Sequence, residues 1–301
     1  MSMTFSRVAL ASAAMVLLLA GAAGGDQPPC SGCPAWNVAQ PPFQIFGNTY
    51  YVGVRGLSAI LITSPQGHVL IDGALSQSAA SIAGSIRALG FRIEDVKLIL
   101  NSHVHFDHAG GIAELQRLSG ARVAASQASA RVLMHGGVGR DDPQFGILRP
   151  IRAVRRVQTF VDGETLRVGP LAVTAHLTPG HTPGGTSWTW SSCENGRCLN
   201  IVYADSLSAV SSDDFLFTRN QRYPHAIQDF ERSFAALSAL PCDVLVSTHP
   251  EVSGLWERLA RREQGDANAL VDATACGRYV ARAREGLAKR VAEEAARSPK
   301  H

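Results

Sequence analysis

Short apolar runs and longer helical patterns alternate along the chain, and the series occurs twice. Runs rich in β-branched and aromatic residues predict strands, whereas apolar residues spaced three or four apart predict helices. The first half predicts strands in "FQIFGNTYYVGV", "SAILITS", "HVLIDG" and "VKLILNS", with a helix in "SQSAASIAGSIRALG". The second half predicts strands in "GETLRVGPLAVTAHLT", "TSWTW", "LNIVYAD" and "DVLVS", with a helix in "HAIQDFERSFAALSAL". We therefore expect an α/β fold of two similar halves.

A long polar segment, "HGGVGRDDPQFGILRP", joins the two halves. Its Gly, Pro and Asp content is typical of a surface connector, but long loops in compact domains are often functional. Phe145, Ile147 and Leu148 form an apolar tip that a mere connector does not need. We predict that the loop from His135 to Arg156 forms one wall of a substrate groove.

The chain closes with a second helical pattern, "DANALVDATACGRYVARAREGLAKRVAEEAA". Its apolar residues recur at helical spacing, and Asp266 stands where a helix N-cap is expected. We predict one terminal helix that begins near Asp266.

The first residues have the pattern of an export signal. Arg7 precedes the apolar run "VALASAAMVLLLA", and the small residues of "AGAAGG" predict cleavage near Ala22 or Ala23. A spanning helix needs about 20 apolar residues, and this shorter run leads directly into Gly, Asp and Pro, so an uncleaved anchor is less favoured. We expect a soluble, exported mature protein.

Composition excludes some classes of function. Of the 301 residues, 46% are hydrophobic and 18% are charged, which is typical of a chain with a full core. The net charge is only +3, and the arginines of "IRAVRR" and "RAREGLAKR" are interleaved with apolar residues. The sequence therefore does not predict a nucleic-acid partner.

Six cysteines in an exported chain favour disulfides, although six allow 15 pairings. The motif "CENGRC" lies between two predicted strands and suits a Cys193–Cys198 bridge across a hairpin. Cys242 and Cys276 would then join a strand end to the terminal helix. The alternative, a zinc site of cysteines, lacks paired spacing apart from "CSGC" near the N-terminus.

The segment "NSHVHFDHAGG" carries a dense group of metal-ligating residue types at the exit of a predicted strand. His103 and His105, two apart on an extended segment, point the same way, and Asp107 and His108 follow where the chain turns. An isolated histidine is usually a solvated surface residue, but four such ligands in six positions favour two adjacent metal ions. Two further histidines have matching contexts at strand exits: His181 in "LTPGHTPGG" and His249 in "VLVSTHP".

These motifs resemble those of the metallo-β-lactamase superfamily, whose signature matches "HVHFDH", "PGHTPGG" and "STHP". The strings "GNTYYVG", "YADSLSA", "RYPH" and "RSFAALSALPCDVL" are similar to those of class B β-lactamases of subclass 3. The resemblance covers roughly residues 36 to 290 and implies an αβ/βα four-layer sandwich with the site at the sheet edges. We expect three parts: a signal peptide over 1–23, a flexible segment over 24–35 and the metallo-β-lactamase domain over 36–296.

The resemblance also implies a ligand set for two zinc ions that share a hydroxide. The first ion would be held by His103, His105 and His181, and the second by Asp107, His108 and His249. Asp107 would in addition orient the hydroxide as the catalytic carboxylate. Bound zinc lowers the pKa of water from about 15.7 to near 7, so no serine nucleophile is required.

Other positions follow from the same resemblance. Ser206 stands where another subclass uses a cysteine ligand, and Ser206 and Ser208 would face the substrate carboxylate. We expect Asp205 to remain outside the metal ligands and to position its loop through backbone hydrogen bonds. Some relatives have a cysteine at the place of Arg55, so Cys30 and Cys33 are left with each other, or free.

The resemblance implies zinc-dependent hydrolysis of the β-lactam amide of penicillins, cephalosporins and carbapenems, and hence antibiotic resistance. Two alternatives stay open: a thioesterase or lactonase of the same superfamily, because fold does not fix function, and a non-catalytic zinc-binding protein. We expect a periplasmic or secreted monomer whose partner is a small-molecule β-lactam, with no nucleic acid and no stable membrane association.

Overall fold

Strands form where the chain concentrates β-branched and aromatic residues, and they assemble into two sheets. The computed structural model describes residues 30–297. The first sheet contains, in spatial order, β1 (Phe43–Phe46), β2 (Thr49–Tyr51), β3 (Ile60–Ile62), β4 (His68–Ile71), β5 (Val96–Leu100), β6 (Arg122–Ser126) and β7 (Val157–Phe160). The second contains β8 (Thr165–Val168), β9 (Leu171–Leu177), β10 (Thr186–Glu194), β11 (Arg197–Ala204) and β12 (Val244–Ser247), again in spatial order.

Eight α-helices lie outside the sheets in the described part of the chain. They are α1 (Cys33–Trp36), α2 (Ser78–Ala88), α3 (Phe106–Ala109), α4 (Ile112–Ser119), α5 (Gln127–His135), α6 (Ala226–Ala239), α7 (Leu255–Glu263) and α8 (Ala275–Ala296). The strands β4 to β7 are parallel, as are β11 and β12, and the remaining pairs are antiparallel. No helix in residues 30–297 has the length and apolar character that a membrane span requires.

Alternate residues of the central strands face two different cores, as the two-residue period of a strand requires. Leu70 and Ile99 belong to the core beneath the helices of the first half, whereas Ile71 and Leu100 belong to the core between the sheets. A third core lies on the outer face of the second sheet, where Leu245 packs with residues of α6 and α8. The order of layers is therefore helix, sheet, sheet, helix, which confirms the predicted αβ/βα sandwich.

The predicted hairpin at "CENGRC" is present between β10 and β11. Cys193 lies opposite Cys198 in the ladder, and the two turn residues, Asn195 and Gly196, have φ values of 50° and 79°. Two consecutive residues with positive φ are what a two-residue turn needs to match the twist of the strands. The structure joins Cys193 to Cys198 and Cys242 to Cys276, the two pairs that the sequence favours.

The N-terminal cysteines also form a pair, Cys30–Cys33, one of the two outcomes that the sequence leaves open. Cys33 begins α1, and its side chain is buried in the core of the first half. The predicted signal peptide, 1–23, lies outside the described residues, as does the first half, 24–29, of the segment 24–35 that we expected to be flexible.

The terminal helix begins later than the sequence predicts. It starts at Ala275 instead of near Asp266, and a separate helix, α7, precedes it. The prediction was wrong because residues between the two helices are held by tertiary contacts: Leu270 is buried between the sheets, and the backbone N–H of Asp272 donates to the carbonyl of Asp243 at 2.7 Å. The carboxylate of Asp272 then accepts a hydrogen bond from the backbone N–H of Thr274, immediately before α8.

Candidate metal centre

Three strand ends and one short helix bring the predicted ligands together. His103 and His105 follow β5, His181 follows β9, and His249 follows β12. Residues that follow the carboxyl ends of strands commonly form the binding sites of α/β proteins. Asp107 and His108 lie in the single turn of α3, directly after His105.

The six side chains form two overlapping groups at one place. The ligating atoms of His103, His105 and His181 lie within 4.8 Å of one another, and so do those of His103, Asp107 and His108. His249 extends the second group, because its Nε2 atom lies 3.4 Å from Oδ2 of Asp107 and its ring centroid lies 4.8 Å from that of His108. Every ligand that the sequence predicts is therefore found in this cluster.

Two buried ring nitrogens indicate that the cluster is suited to metal ions. Nε2 of His103 and Nδ1 of His108 are buried and have no hydrogen-bond partner among the described residues. A buried polar atom without a partner costs about 1–3 kcal/mol, so this arrangement is unfavourable for histidines with a purely structural role. A divalent cation coordinated by these nitrogens removes the deficit, and imidazole and carboxylate are ligands that zinc prefers. The donor set therefore fits zinc.

Other contacts orient the imidazole rings. Nδ1 of His103 lies 2.6 Å from Oδ1 of Asp205, and Nδ1 of His181 donates to the backbone carbonyl of Ser208 at 2.8 Å. Nδ1 of His249 lies 3.2 Å from the carbonyl oxygen of Gly56. Each contact fixes the proton on Nδ1 and leaves Nε2 of the same ring free for a metal, which is how protein metal sites commonly set the histidine tautomer.

His105 is oriented in the opposite sense. Its Nε2 atom lies 3.2 and 3.3 Å from the two carboxylate oxygens of Asp142, so the ring proton is on Nε2. Nδ1 is then the nitrogen that can bind a metal, and it lies 3.4 Å from Nε2 of Gln144. Asp142 is buried and belongs to the loop between α5 and β7. It also accepts a hydrogen bond from the backbone N–H of Gln144 at 2.8 Å. The predicted groove wall is thus tied directly to one of the candidate ligands.

Burial keeps the imidazoles of His103 and His181 in the neutral form that binds metals. It lowers the pKa of His103 well below its usual value and the pKa of His181 to about 3, and neighbouring histidines add to both shifts. Burial alone would raise the pKa of Asp107, but His108 and His249 outweigh it and hold that pKa well below its usual range. The cluster therefore presents an ionised carboxylate at Asp107 and neutral imidazoles at His103 and His181.

Asp205 acts on the site more directly than we expected. We expected it to position its loop through backbone hydrogen bonds, but its side chain contacts His103. It is fully buried, and burial raises its pKa well above the usual range of a carboxyl group.

A second carboxylate, Asp72, supports the segment that carries the histidines. It accepts hydrogen bonds from the backbone N–H and the hydroxyl of Ser102, at 2.8 and 2.6 Å, and from the hydroxyl of Tyr203 at 2.8 Å. Asp72 is fully buried and has a φ of 61°. The signal in the sequence was "HVLIDG", in which an acid stands at a strand exit before a glycine.

Comparisons with known proteins identify the family. A family model described as the metallo-beta-lactamase superfamily matches residues 52–193. The solved structure of Rm3 metallo-β-lactamase is 57% identical, with a TM-score of 0.88, and the match covers 89% of this chain and 100% of that one. The chain belongs to the metallo-β-lactamase superfamily.

Two further proteins differ widely in their sequence identity to this chain. MEM-A1, a subclass B3 metallo-β-lactamase from a soil metagenome library, is 54% identical over 87% of this chain and 99% of its own, with a TM-score of 0.85. A curated relative, the hydroxyacylglutathione hydrolase of Acidiphilium cryptum, is only 26% identical over 73% of this chain and 76% of its own. The chain is therefore far more similar to Rm3 and to the subclass B3 enzyme MEM-A1 than to the hydroxyacylglutathione hydrolase.

The residues predicted to contact substrate differ in how far they are exposed. Ser206 is buried and its hydroxyl lies 2.8 Å from that of Thr248, whereas Ser208 is exposed. Phe145 and Ile147 are 41% and 50% exposed, which is unusual for large apolar side chains. Leu148 is partly buried.

Proposed function

We propose that this protein is a zinc-dependent β-lactamase that hydrolyses the amide bond of penicillins, cephalosporins and carbapenems. The observation that carries the proposal is the complete cluster of five histidines and one aspartate, with unpartnered ring nitrogens, in a chain 57% identical to Rm3 metallo-β-lactamase. Antibiotic resistance would follow from this activity.

Two zinc ions fit the two groups of ligands. His103, His105 and His181 would hold one ion, and Asp107, His108 and His249 the other. Bound zinc supplies a Lewis acid for the lactam carbonyl and lowers the pKa of water from about 15.7 to near 7. Such Lewis-acid stabilisation of developing charge is commonly a large part of catalysis by a metal hydrolase.

Asp107 is the catalytic carboxylate in this proposal. Its Oδ2 atom lies 3.2 Å from Nε2 of His108 and 3.4 Å from Nε2 of His249, so these two rings fix the direction of the carboxyl group. Its lowered pKa keeps it ionised at neutral pH. An ionised carboxylate accepts a hydrogen bond from the attacking water and orients it towards the carbonyl carbon.

The substrate would be held at two sides of the metal centre. Ser206 and Ser208 would face the ring carboxylate on one side. The Ser206 hydroxyl contacts that of Thr248 and has no general base beside it. The Ser208 hydroxyl lies 3.2 Å from Nδ1 of His181, but that nitrogen donates its proton to the backbone carbonyl of Ser208 and so does not act as a general base. The exposed side chains of Phe145 and Ile147, together with the partly buried Leu148, would form the other wall. Because these side chains are apolar, they would contact the substituents of the antibiotic and not its charged groups.

Export belongs to the same proposal. The signal over residues 1–23 would send the protein to the periplasm or out of the cell, where it meets its substrate as a soluble monomer without a nucleic-acid or membrane partner. The disulfides of the structure suit such an oxidising compartment.

A thioester hydrolase is the second candidate, and the match to the hydroxyacylglutathione hydrolase of Acidiphilium cryptum is the observation that favours it. The experiment compares kcat/KM of the zinc-loaded protein for the chromogenic cephalosporin nitrocefin and for S-lactoylglutathione. We expect efficient hydrolysis of nitrocefin and weak or no thioester hydrolysis. The opposite preference would overturn the proposed function while leaving the family unchanged.

A further inference from the structure

A cavity of about 330 Å³ lies beside the metal centre. Its walls are the segment that follows β11, the segment that follows β12, and one face of α8. The candidate ligand His249 and both serines proposed to face the substrate carboxylate, Ser206 and Ser208, are on its rim. The carboxylate end of a substrate bound at the metal centre would therefore lie next to this cavity.

Arg282 of α8 is the one permanently charged side chain among the residues that line this cavity, and no carboxylate lines it. Two other arginines of α8, Arg278 and Arg284, form ion pairs with Asp272 and Glu231. No ion pair or hydrogen bond joins the side chain of Arg282 to any of residues 30–297. Its guanidinium group is available to an anion, which it can bind with two parallel hydrogen bonds.

Small residues leave room next to this cation. Ala283 and Gly286 face the cavity from α8, and a Cβ atom built at Gly286 meets no other atom within 4 Å. Glycine in a helix interior costs about 1 kcal/mol relative to alanine, so Gly286 is not there for helix stability. Leu207 and Val252 add apolar surface to the walls opposite α8, beside the polar residues Ser206, Ser208 and Thr248.

We propose that this cavity, the Arg282 pocket, binds a negatively charged substituent attached next to the ring carboxylate of the β-lactam. Arg282 is then a specificity-determining residue that favours substrates with a second anionic group. The inference rests on the proposed function, because the position of the substituent follows from a ring carboxylate at Ser206 and Ser208. In a cephalosporin, the substituent at C3 is attached beside the carbon that bears the carboxylate, so it is the group that would enter the pocket.

The test uses two cephalosporins that differ only at the end of the C3 substituent, one with a carboxylate and one with the neutral carboxamide. The measured quantity is the ratio of kcat/KM for the charged and the neutral compound. We expect Arg282→Gln to lower this ratio about three- to five-fold, mainly through a higher KM for the charged compound, which is the range for a solvent-accessible ion pair. The control, Lys289→Gln, removes the same charge from another position on α8 and should leave the ratio unchanged.

A second pair of variants tests the room in the pocket beside Gly286 and not the charge of Arg282. Gly286→Leu should raise KM for the cephalosporin with the larger C3 substituent, because the new side chain enters the pocket. Gly277→Leu is the matched control, since it also lies in α8 with no atom within 4 Å of a built Cβ but does not line the pocket. Both changes replace a helical glycine by the same side chain, and KM for the cephalosporin with the smaller C3 substituent serves as the reference in each variant, so an effect confined to the larger substituent in Gly286→Leu reports on the pocket.

The possible outcomes distinguish failure of the Arg282 pocket from failure of the proposed function. Suppose that the protein hydrolyses both compounds, but Arg282→Gln leaves the ratio of their kcat/KM values unchanged, or Lys289→Gln lowers it equally. Either result would overturn the Arg282 pocket and leave the proposed function standing. If the zinc-loaded wild-type protein hydrolyses neither compound, the proposed function fails and this inference fails with it.

Discussion

Oδ1 of Asp205 lies 2.6 Å from Nδ1 of His103, and both side chains are completely buried. The contact holds the ring so that Nε2, which has no hydrogen-bond partner among the described residues, is directed into the candidate metal centre. A carboxylate in this position both orients the ring and increases its basicity as a ligand.

Asp205→Asn should therefore weaken zinc binding without loss of the fold. The amide keeps the size of the side chain but is a poorer hydrogen-bond acceptor for Nδ1 of His103, and the loss of such a contact typically lowers metal affinity about 10- to 100-fold. Competition with a chromophoric chelator measures the affinity, and far-UV circular dichroism checks the fold. The exposed Asp213→Asn is the control for a change of net charge. Equal zinc affinity in Asp205→Asn and the wild-type protein would contradict the role given to this carboxylate.

Two adjacent aspartates provide a sharper comparison in the loop between α5 and β7. Asp142 is buried against His105, whereas its neighbour Asp141 is exposed. We expect Asp142→Asn to lower zinc affinity and kcat together, because the ring of His105 loses its partner and the loop loses its attachment to the site. Asp141→Asn should change neither quantity. Isothermal titration of the metal-free proteins with zinc distinguishes them, and identical behaviour of the two variants would exclude a special role for Asp142.

The candidate ligands could be predicted from the sequence because they occur in short motifs. His103, His105, Asp107 and His108 are within six residues, and both His181 and His249 follow apolar strands that are recognisable by themselves. The repeated strand and helix patterns predicted two similar halves, whereas the order of the layers was implied by the resemblance to the metallo-β-lactamase superfamily. Local patterns therefore carried most of the information about the fold and the metal ligands.

The supporting carboxylates could not be predicted, because their partners are far away along the chain. Asp205 contacts a ligand 102 residues away, and Asp142 contacts one 37 residues away. Asp72 is likewise 30 residues from Ser102. No spacing rule links such pairs, and only the packing of the two sheets brings them together.

The late start of α8 is a second case in which tertiary contacts override a local pattern. The segment from Asp266 has helical spacing, but Leu270 is buried between the sheets and Asp272 is hydrogen-bonded to Asp243. Tertiary contacts of this kind commonly override intrinsic helix propensity, which is a weak preference.

The apolar tip of the loop should affect substrate preference and not metal binding. Replacement of Phe145, Ile147 or Leu148 by Ala removes side chains that contribute to the groove wall, so KM should rise by different factors for different β-lactams. A fully buried apolar contact contributes about 1.5–3 kcal/mol, and these partly exposed side chains should contribute less. Steady-state kinetics with a panel of antibiotics, together with the zinc content, tests this. Equal effects on every substrate would indicate a general loss of stability instead.

The bridge between Cys242 and Cys276 should stabilise the fold more than the bridge of the hairpin. It closes a loop with a sequence separation of 34, against 5 for Cys193 and Cys198, whose strands are already paired. Replacing Cys242 and Cys276 by Ser should lower the free energy of unfolding by about 2–4 kcal/mol, and the hairpin pair should cost less. Urea unfolding measures both, and peptide mapping without reduction identifies the pairs. Free thiols at these positions in exported protein would contradict the assignment.

The dependence of β-lactam hydrolysis on zinc tests the central claim most directly. The purified protein is stripped with a chelator until metal analysis shows no zinc, and nitrocefin hydrolysis is followed before and after zinc is added back. The account predicts that activity disappears in the metal-free protein, returns as zinc approaches two equivalents, and is unaffected by serine-directed inactivators. Nitrocefin hydrolysis that persists in a verified metal-free preparation would contradict it.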